Sequence, residues 1–142
     1  MNKISLVYYS ATGNTESMAK AIEEGIVEAG GKVTVYKSNA MNKDDILSSD
    51  VIVMGSSATG SEVIDENDLL PFMEEDGPKF KGKKVYIFGS YGWGGGEYAD
   101  NWKAQLEGFG ANIVAMPVLA NEAPSDDELA QLKEIGKKLV TI

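Results

Sequence analysis

The chain of 142 residues contains no cysteine and no histidine. Without cysteine it can form no disulfide, no thiolate nucleophile and no cysteine-ligated cluster. Without histidine it lacks the commonest general base and the side chain that most zinc sites use. Carboxylates, hydroxyls and lysines remain, so redox chemistry in this protein would require an organic cofactor.

Long apolar runs and positive charge are also scarce. No segment approaches the roughly 20 apolar residues of a membrane span, and the first residues lead into a strand pattern rather than a signal peptide. The 22 acidic residues outnumber the 13 basic ones, and the net charge is −9. Such a charge disfavours nucleic acid and anionic membranes and favours a basic protein partner. Because no membrane span or signal peptide is predicted, we expect a cytoplasmic protein. Its length of 142 residues fits one domain over residues 1–142.

Short apolar segments alternate with helical patterns along the chain. Runs rich in Val, Ile and Met without polar alternation are typical of strands that are covered on both faces of a parallel α/β sheet. Five strands are predicted, at 4–9, 33–36, 51–55, 85–89 and 113–116. Apolar residues at helical spacing predict helices over 18–26, 102–109 and 129–139, with weaker helices at 44–48 and 68–75. The last long helix begins with a capping-box pattern at 125–128, and Gly30 ends the first.

The loop after the first strand, 10–15, has the composition of a phosphate site. It offers three hydroxyls, an amide and Gly13, and it opens a helix whose N-terminal N–H groups favour an anion. No basic residue lies between Lys3 and Lys20, so neutral hydrogen bonds and dipoles would hold the phosphate. The alternative is an ordinary polar connection in which Asn14 or Thr15 caps the helix.

Two more loops should reach the same edge of the sheet, because ligands of open α/β sheets bind beyond the carboxyl ends of the strands. The segment 55–62 is small and polar, and the segment 89–96 places Tyr91 and Trp93 among five glycines. Aromatic rings on a glycine-rich loop suit stacking on a planar heterocycle, the alternative being that Trp93 folds into the core. The Walker and Rossmann phosphate motifs are both absent.

Together the segments SATGNT (10–15), GSSATGSE (55–62) and GSYGWG (89–94) resemble the short-chain flavodoxins over essentially the whole chain. The resemblance implies an α/β fold with a single doubly wound, five-stranded parallel sheet in the order 2-1-3-4-5 and helices on both faces. It also implies non-covalent FMN that shuttles between semiquinone and hydroquinone. The protein would then be a low-potential one-electron carrier between redox enzymes, without a substrate of its own.

The resemblance further implies that FMN contacts all three loops. Its phosphate would lie on the first loop and Ser57, Trp93 would stack on the outer face of the flavin, and Glu62 would lie near the N3 edge. The chain departs from the family at Thr59, where a bulkier apolar residue is usual, and at Ser61, where Asp or Asn is usual. The complete set of residues assigned to the cofactor is Ser10, Ala11, Thr12, Gly13, Asn14, Thr15, Ser56, Ser57, Ala58, Thr59, Gly60, Ser61, Glu62, Ser90, Tyr91, Gly92, Trp93 and Gly94.

Seven carboxylates and no lysine lie between residues 62 and 76. In high dielectric, a carboxylate roughly 10 Å from a reduced, anionic flavin raises its energy by about 0.4 kcal/mol. Several such carboxylates together would lower the reduction potential of the flavin. They would also attract basic-surfaced redox proteins, both reductases and electron acceptors, into transient complexes. The carrier itself is expected to be a monomer. The alternative for the part beyond Asp68 is a solvated helix face.

Two other functions share this fold. A flavodoxin-like domain can use FMN for enzymatic or regulatory work, although this chain lacks a substrate domain, histidine and cysteine. A receiver-type signalling domain would need an acidic pair at the end of the first strand and an Asp after the third. Those positions hold Tyr8, Tyr9 and Gly55, so this alternative ranks below the others.

Overall fold

The computed structural model describes residues 2–59, 63–92 and 95–142. Its elements, in chain order, are β1 (Ile4–Tyr9), α1 (Asn14–Glu28), β2 (Val33–Lys37), α2 (Lys43–Leu47), β3 (Val51–Ser57), α3 (Leu69–Asp76), β4 (Lys84–Tyr91), α4 (Glu97–Gly108), β5 (Asn112–Ile113), β6 (Val118–Asn121) and α5 (Asp126–Leu139). Short 3₁₀ helices lie at Ser38–Ala40 and Gly77–Phe80.

The strands form one parallel sheet in the order β2-β1-β3-β4-β5, with β6 also paired to β4. This confirms the predicted α/β fold and strand order. Every residue of β3 is buried, because helices cover the sheet on both sides. One apolar cluster lies under α1 and α5, and a second lies under α3 and α4.

The bounds predicted for the fifth strand, 113–116, are wrong. Ile113 of β5 pairs with Val85 of β4, and Val118 of β6 pairs with Phe88 of β4. Met116, which lies between the two strands, is 80% exposed. Pro117 interrupts the ladder because it has no N–H to donate.

The buried hydroxyl of Tyr86 fills this interruption. It donates to the carbonyl of Met116 at 3.1 Å and accepts the N–H of Val118 at 3.0 Å. Burial raises the pKa of Tyr86, which keeps the phenol neutral as a donor. A side chain from the neighbouring strand thus replaces the ladder bonds that Pro117 cannot make.

The predicted helices are present, but α1 and α4 begin four and five residues earlier than predicted, and the two weaker helices are shifted by one residue. In the capping box of α5, Ser125 Oγ accepts the N–H of Glu128 and Glu128 Oε1 accepts the N–H of Ser125. The N-cap of α1 is Gly13, with φ of 94°, so the alternative of a cap at Asn14 or Thr15 is wrong. Gly13 adopts the left-handed conformation that a residue with a Cβ enters at a cost.

Helices α1 and α5 contact each other through two glycines. A Cβ on Gly25 would clash with the carbonyl of Lys133, and a Cβ on Gly136 would clash with the carbonyl of Ile22. The two backbones therefore approach more closely than any larger residues would permit. This contact fixes α1, and with it the loop that precedes α1, against the sheet.

Candidate functional site

The loops after β1, β3 and β4 meet at the carboxyl edge of the sheet. β3 and β4 each continue two residues beyond their predicted ends, and Ser57 pairs with Ser90 in the extended ladder. This register places two serine side chains beside the start of α1. The sequence pattern did not reveal it, because serine and glycine have low strand propensity.

Three buried hydroxyls connect the start of α1 with the ends of β3 and β4. Thr15 Oγ1 lies 2.9 Å from Ser57 Oγ and 2.9 Å from Ser90 Oγ, and the two serine oxygens are 3.5 Å apart. Ser57 Oγ also accepts the N–H of Ala11 at 3.2 Å. Residues from β1's loop, β3 and β4 thereby share one hydrogen-bonded cluster, which fixes the loops relative to one another.

The N-terminus of α1 is only partly satisfied by the protein itself. Ser10 Oγ accepts the N–H groups of Gly13 and Glu16 at 3.0 and 3.1 Å. Within the described residues, the N–H groups of Asn14 and Thr15 have no acceptor. Two free donors at the positive end of a 15-residue helix form an anion-binding position.

A cleft of about 500 Å³ opens beside this helix end. It is lined by Ala11, Thr12, Asn14, Ser57, Ala58, Ser90, Tyr91, Gly92, Glu122 and Ala123. The side chains of Thr12 and Asn14 make no hydrogen bond within the described part of the chain, and the described wall holds no lysine. The cleft therefore presents neutral donors at the helix end and an aromatic side chain, Tyr91, farther along.

Glu122 and Ala123, which follow β6, also line the cleft, although they are not among the residues predicted from the sequence. Glu122 has φ of 60°, and its N–H donates to the carbonyl of Tyr91 at 2.7 Å. A glutamate with positive φ is uncommon and is strained unless its surroundings hold it there. The misplaced fifth strand hid this residue, because Glu122 comes into place only when the strand resumes after Pro117.

The loop after β3 is anchored below the cleft by Ser56 and Asp65. Ser56 Oγ donates to the carbonyl of Ser57 and accepts the N–H of Asp65 at 3.0 Å. The buried carboxylate of Asp65 accepts the N–H groups of residues 67, 68 and 69. Asp65, one of the seven carboxylates predicted to lie near the cofactor, therefore also caps the start of α3.

Thr59 and Tyr98 also hold loops in place. Thr59 and Val63 exchange two backbone hydrogen bonds, and Thr59 Oγ1 donates to the carbonyls of Val63 and Ile64 at 3.2 Å each. The Tyr98 hydroxyl donates toward the carbonyls of Ser56 at 2.8 Å and Ser90 at 3.3 Å. A Cβ at position 89 would collide with this hydroxyl, which explains the glycine there.

The structure brings eight of the assigned residues to the cleft wall: Ala11, Thr12, Asn14, Ser57, Ala58, Ser90, Tyr91 and Gly92. Five others support the wall from behind or beside it: Ser10, Gly13, Thr15, Ser56 and Thr59. The remaining five, Gly60, Ser61, Glu62, Trp93 and Gly94, lie outside the described residues.

The described residues lack two kinds of feature. They contain no group of three or more Asp or Glu side chains arranged to hold a metal ion. They also contain no helix of the length and hydrophobicity needed to cross a membrane.

Comparison with known proteins gives a consistent result. The flavodoxin family model matches residues 6–136. A flavodoxin from Clostridium beijerinckii is 40% identical over 139 residues, which are 98% of this chain and 100% of that protein. A flavodoxin from Megasphaera elsdenii is 43% identical over 134 residues, or 94% and 96% of the two chains. The solution structure of the two-electron reduced Megasphaera elsdenii flavodoxin matches with a TM-score of 0.86 and 43% identity, over 95% of this chain and 98% of that one.

Proposed function

The chain belongs to the flavodoxin family of FMN-binding electron carriers, and we propose that FMN lies in the cleft between the loops after β1, β3 and β4. The observation that carries this proposal is the cluster of Thr15, Ser57 and Ser90, which ties the three loops together at the cleft wall. When bound, FMN supplies the one-electron chemistry, and the protein binds, orients and shields it. No catalytic side chain is required.

The phosphate end of FMN fits the start of α1. The free N–H groups of Asn14 and Thr15, the Thr12 hydroxyl and the Asn14 amide are neutral donors at a helix N-terminus, which suits a phosphate monoester that is held without reacting. The buried Thr15 and Ser57 hydroxyls back this position. By family resemblance, we assign Trp93 to stacking on the flavin ring. On the same ground we place Glu62 near the N3 edge of that ring.

Negative charge near the part of the cleft assigned to the flavin ring would keep the reduction potential of the flavin low. Glu122 reaches the cleft wall, and each carboxylate roughly 10 Å from an anionic reduced flavin costs about 0.4 kcal/mol in high dielectric. The exposed Glu66, Glu74 and Glu75 would meet basic redox partners in transient, salt-sensitive complexes of a cytoplasmic, monomeric carrier. Replacing Glu122 with Gln should make the flavin easier to reduce, which a dithionite titration against a reference dye measures.

The first test of the proposal is the absorbance spectrum of the purified protein with FMN during a dithionite titration. If a species that absorbs at long wavelength forms and then disappears before the flavin bands are fully bleached, the result supports a one-electron carrier. A colourless protein that leaves the spectrum of added FMN unchanged would contradict it.

A second test locates the phosphate. Thr12→Val should weaken FMN binding by about 1–3 kcal/mol, because a desolvated phosphate oxygen loses its donor, while riboflavin binding changes little. Thr34→Val makes the same chemical change at an exposed position of β2 and should alter neither affinity. Equal weakening of FMN and riboflavin by Thr12→Val would place the phosphate elsewhere.

A further inference from the structure

Helices α1 and α5 both carry a glutamate at the third helical position, but the two side chains bond differently. In α5, Glu128 folds back and its carboxylate accepts the N–H of the N-cap residue Ser125 at 2.8 Å. In α1, the N–H of the N-cap residue Gly13 donates to Ser10 Oγ instead, and the carboxylate of Glu16 bonds elsewhere. Within the described residues, the start of α1 therefore has no carboxylate on its N–H groups.

Tyr8 and Lys20 hold the carboxylate of Glu16. The Tyr8 hydroxyl donates to Glu16 Oε2 at 3.0 Å, and Lys20 Nζ, one turn further along α1, lies 4.0 Å from Oε1. Burial raises the pKa of Tyr8, and the bond to Glu16 raises it further, so the phenol remains a donor at neutral pH. The Tyr8 side chain is fixed in the core, whereas that of Lys20 is exposed. Tyr8 is therefore the firmer of the two restraints.

The Glu16 carboxylate is held away from the FMN cleft. Tyr8 and Glu16 line a separate cleft of about 350 Å³, whose described wall shares no residue with that of the FMN cleft. Asn14, which carries one of the two free N–H groups at the start of α1, lines the FMN cleft. The glutamate and the helix start to which we assign the phosphate are thus kept apart, although Glu16 and Asn14 are only two positions apart in the chain.

We propose that Tyr8 is a positioning residue for the phosphate of FMN, because its hydroxyl keeps the Glu16 carboxylate away from the start of α1. A glutamate at the third helical position can turn back onto the helix start, as Glu128 does in α5. There it would compete for the N–H groups assigned to the phosphate and repel a ligand of like charge. The described wall of the FMN cleft holds no lysine to offset that repulsion. The inference rests on the proposed function.

The first test compares Tyr8→Phe with the parent protein in affinity for FMN and for riboflavin, which lacks the phosphate. Removing the hydroxyl releases the carboxylate, so FMN binding should weaken about threefold to tenfold, the range of one net hydrogen bond, while riboflavin binding stays unchanged. Tyr36→Phe is the matched control, because it removes another phenol that donates to a carboxylate, that of Asp45, from the edge strand β2. It should change neither affinity. Equal weakening of FMN and riboflavin by Tyr8→Phe would overturn the proposal.

Glu16→Gln distinguishes positioning from a merely structural role of Tyr8. No charged carboxylate competes in this background, so adding Tyr8→Phe should leave the ratio of FMN to riboflavin affinity unchanged. A ratio that falls equally with and without Glu16→Gln would overturn the proposal, since Tyr8 would then not act through Glu16.

Glu16→Asp gives the same test if Tyr8→Phe does not fold. The shorter side chain keeps the charge but does not reach the Tyr8 hydroxyl. The ratio of FMN to riboflavin affinity should therefore fall as it does in Tyr8→Phe, whereas Glu16→Gln alone should not lower it. An unchanged ratio in Glu16→Asp would overturn the proposal.

Failure of the proposed function is recognised separately. If the parent protein binds neither FMN nor riboflavin, the proposed function fails, and inorganic phosphate becomes the probe, with the backbone N–H signals of Asn14 and Thr15 followed by NMR. Phosphate should shift both signals and should bind Tyr8→Phe more weakly than the parent, with no such difference in the Glu16→Gln background. Unshifted signals, or equal phosphate binding by Tyr8→Phe and the parent, would overturn the role of Tyr8.

Discussion

The two faces of the sheet are packed in different ways. On one face α1 and α5 touch backbone to backbone through Gly25 and Gly136. On the other, α3 and α4 cover the sheet with large aromatic side chains such as Phe72 and Trp102, and a cavity and an unsatisfied donor remain beside them. The closely packed face carries the helix whose N-terminus is assigned to the phosphate.

This difference in packing indicates that the two faces hold different parts of the candidate site. A static phosphate needs donors whose positions do not change, and the glycine contact holds α1 rigidly in place. The loops to which we assign the flavin are held instead by single hydroxyls and by the Asp65 cap, which can be altered one bond at a time. Substitutions on the first face should therefore cost more stability than comparable substitutions on the second.

The largest effect is expected for Gly136→Ala on the closely packed face. Its Cβ would clash with the carbonyl of Ile22, and a backbone atom cannot move aside as a side chain can. We expect the free energy of unfolding to fall by about 2–3 kcal/mol, measured by urea denaturation. A loss below the uncertainty of the measurement would show that the helices can separate freely, and the contrast between the faces would then fail.

A smaller loss is expected for Asp65→Ala on the other face. The substitution removes one buried carboxylate that accepts three N–H groups at the start of α3, which should cost about 2 kcal/mol. Glu66→Ala, at the neighbouring exposed position, should change stability little. Equal effects of the two substitutions in urea denaturation would mean that α3 does not depend on this cap.

Gly108→Ala tests the same chemical change as Gly136→Ala at an open position. Gly108 is the last residue of α4, and a Cβ there would meet nothing within 4 Å. Alanine restricts the unfolded chain and favours the helix, so stability should rise by about 0.5–1 kcal/mol. A loss of stability for Gly136→Ala together with a gain for Gly108→Ala would establish the contrast between a closely packed and an open glycine. A loss of stability for Gly108→Ala would weaken that contrast.

The sequence predicts the fold well where local pattern and tertiary structure agree. The strands in the middle of the sheet are continuous apolar runs, and the capping box of α5 is a local signal, so both were predicted from the residues themselves. The fifth strand was predicted only in part. Pro117, which interrupts it, is visible in the sequence, but the return of the strand at Val118 depends on the Tyr86 hydroxyl, which contacts Met116 and Val118 from 30 and 32 positions earlier in the chain. No window of neighbouring residues contains that information.

The candidate site follows the same rule. Loop composition identified Thr12, Asn14 and Ser57, because hydroxyl and amide groups after strands are a local feature. Composition could not show that Thr15 turns inward to join Ser57 and Ser90, since that depends on the register of β3 and β4. Nor could it show Glu122, which reaches the cleft from the end of β6.

The smallest predicted effect concerns the ion pair at the rim of the closely packed face. Glu28 on α1 accepts from Lys133 on α5 at 2.8 Å, and this bond lowers the pKa of Glu28 below its ordinary value of 4.5. A lowered pKa in the folded state means that the pair contributes stability above pH 4.5 and loses it as the pH falls through the folded value. Glu28→Gln should therefore be slightly less stable than the parent at pH 7 and lose less stability on acidification.

The control for this ion pair is Glu107→Gln, whose partner Lys103 lies on the same helix, α4. That pair lies within one helix, so its removal leaves the contact between α1 and α5 intact and should change stability at pH 7 only slightly. Urea denaturation between pH 3 and pH 7 distinguishes the two variants. Parallel curves for Glu28→Gln and the parent protein would show that the pair between the helices adds no pH-dependent stability to the backbone contact through Gly25 and Gly136.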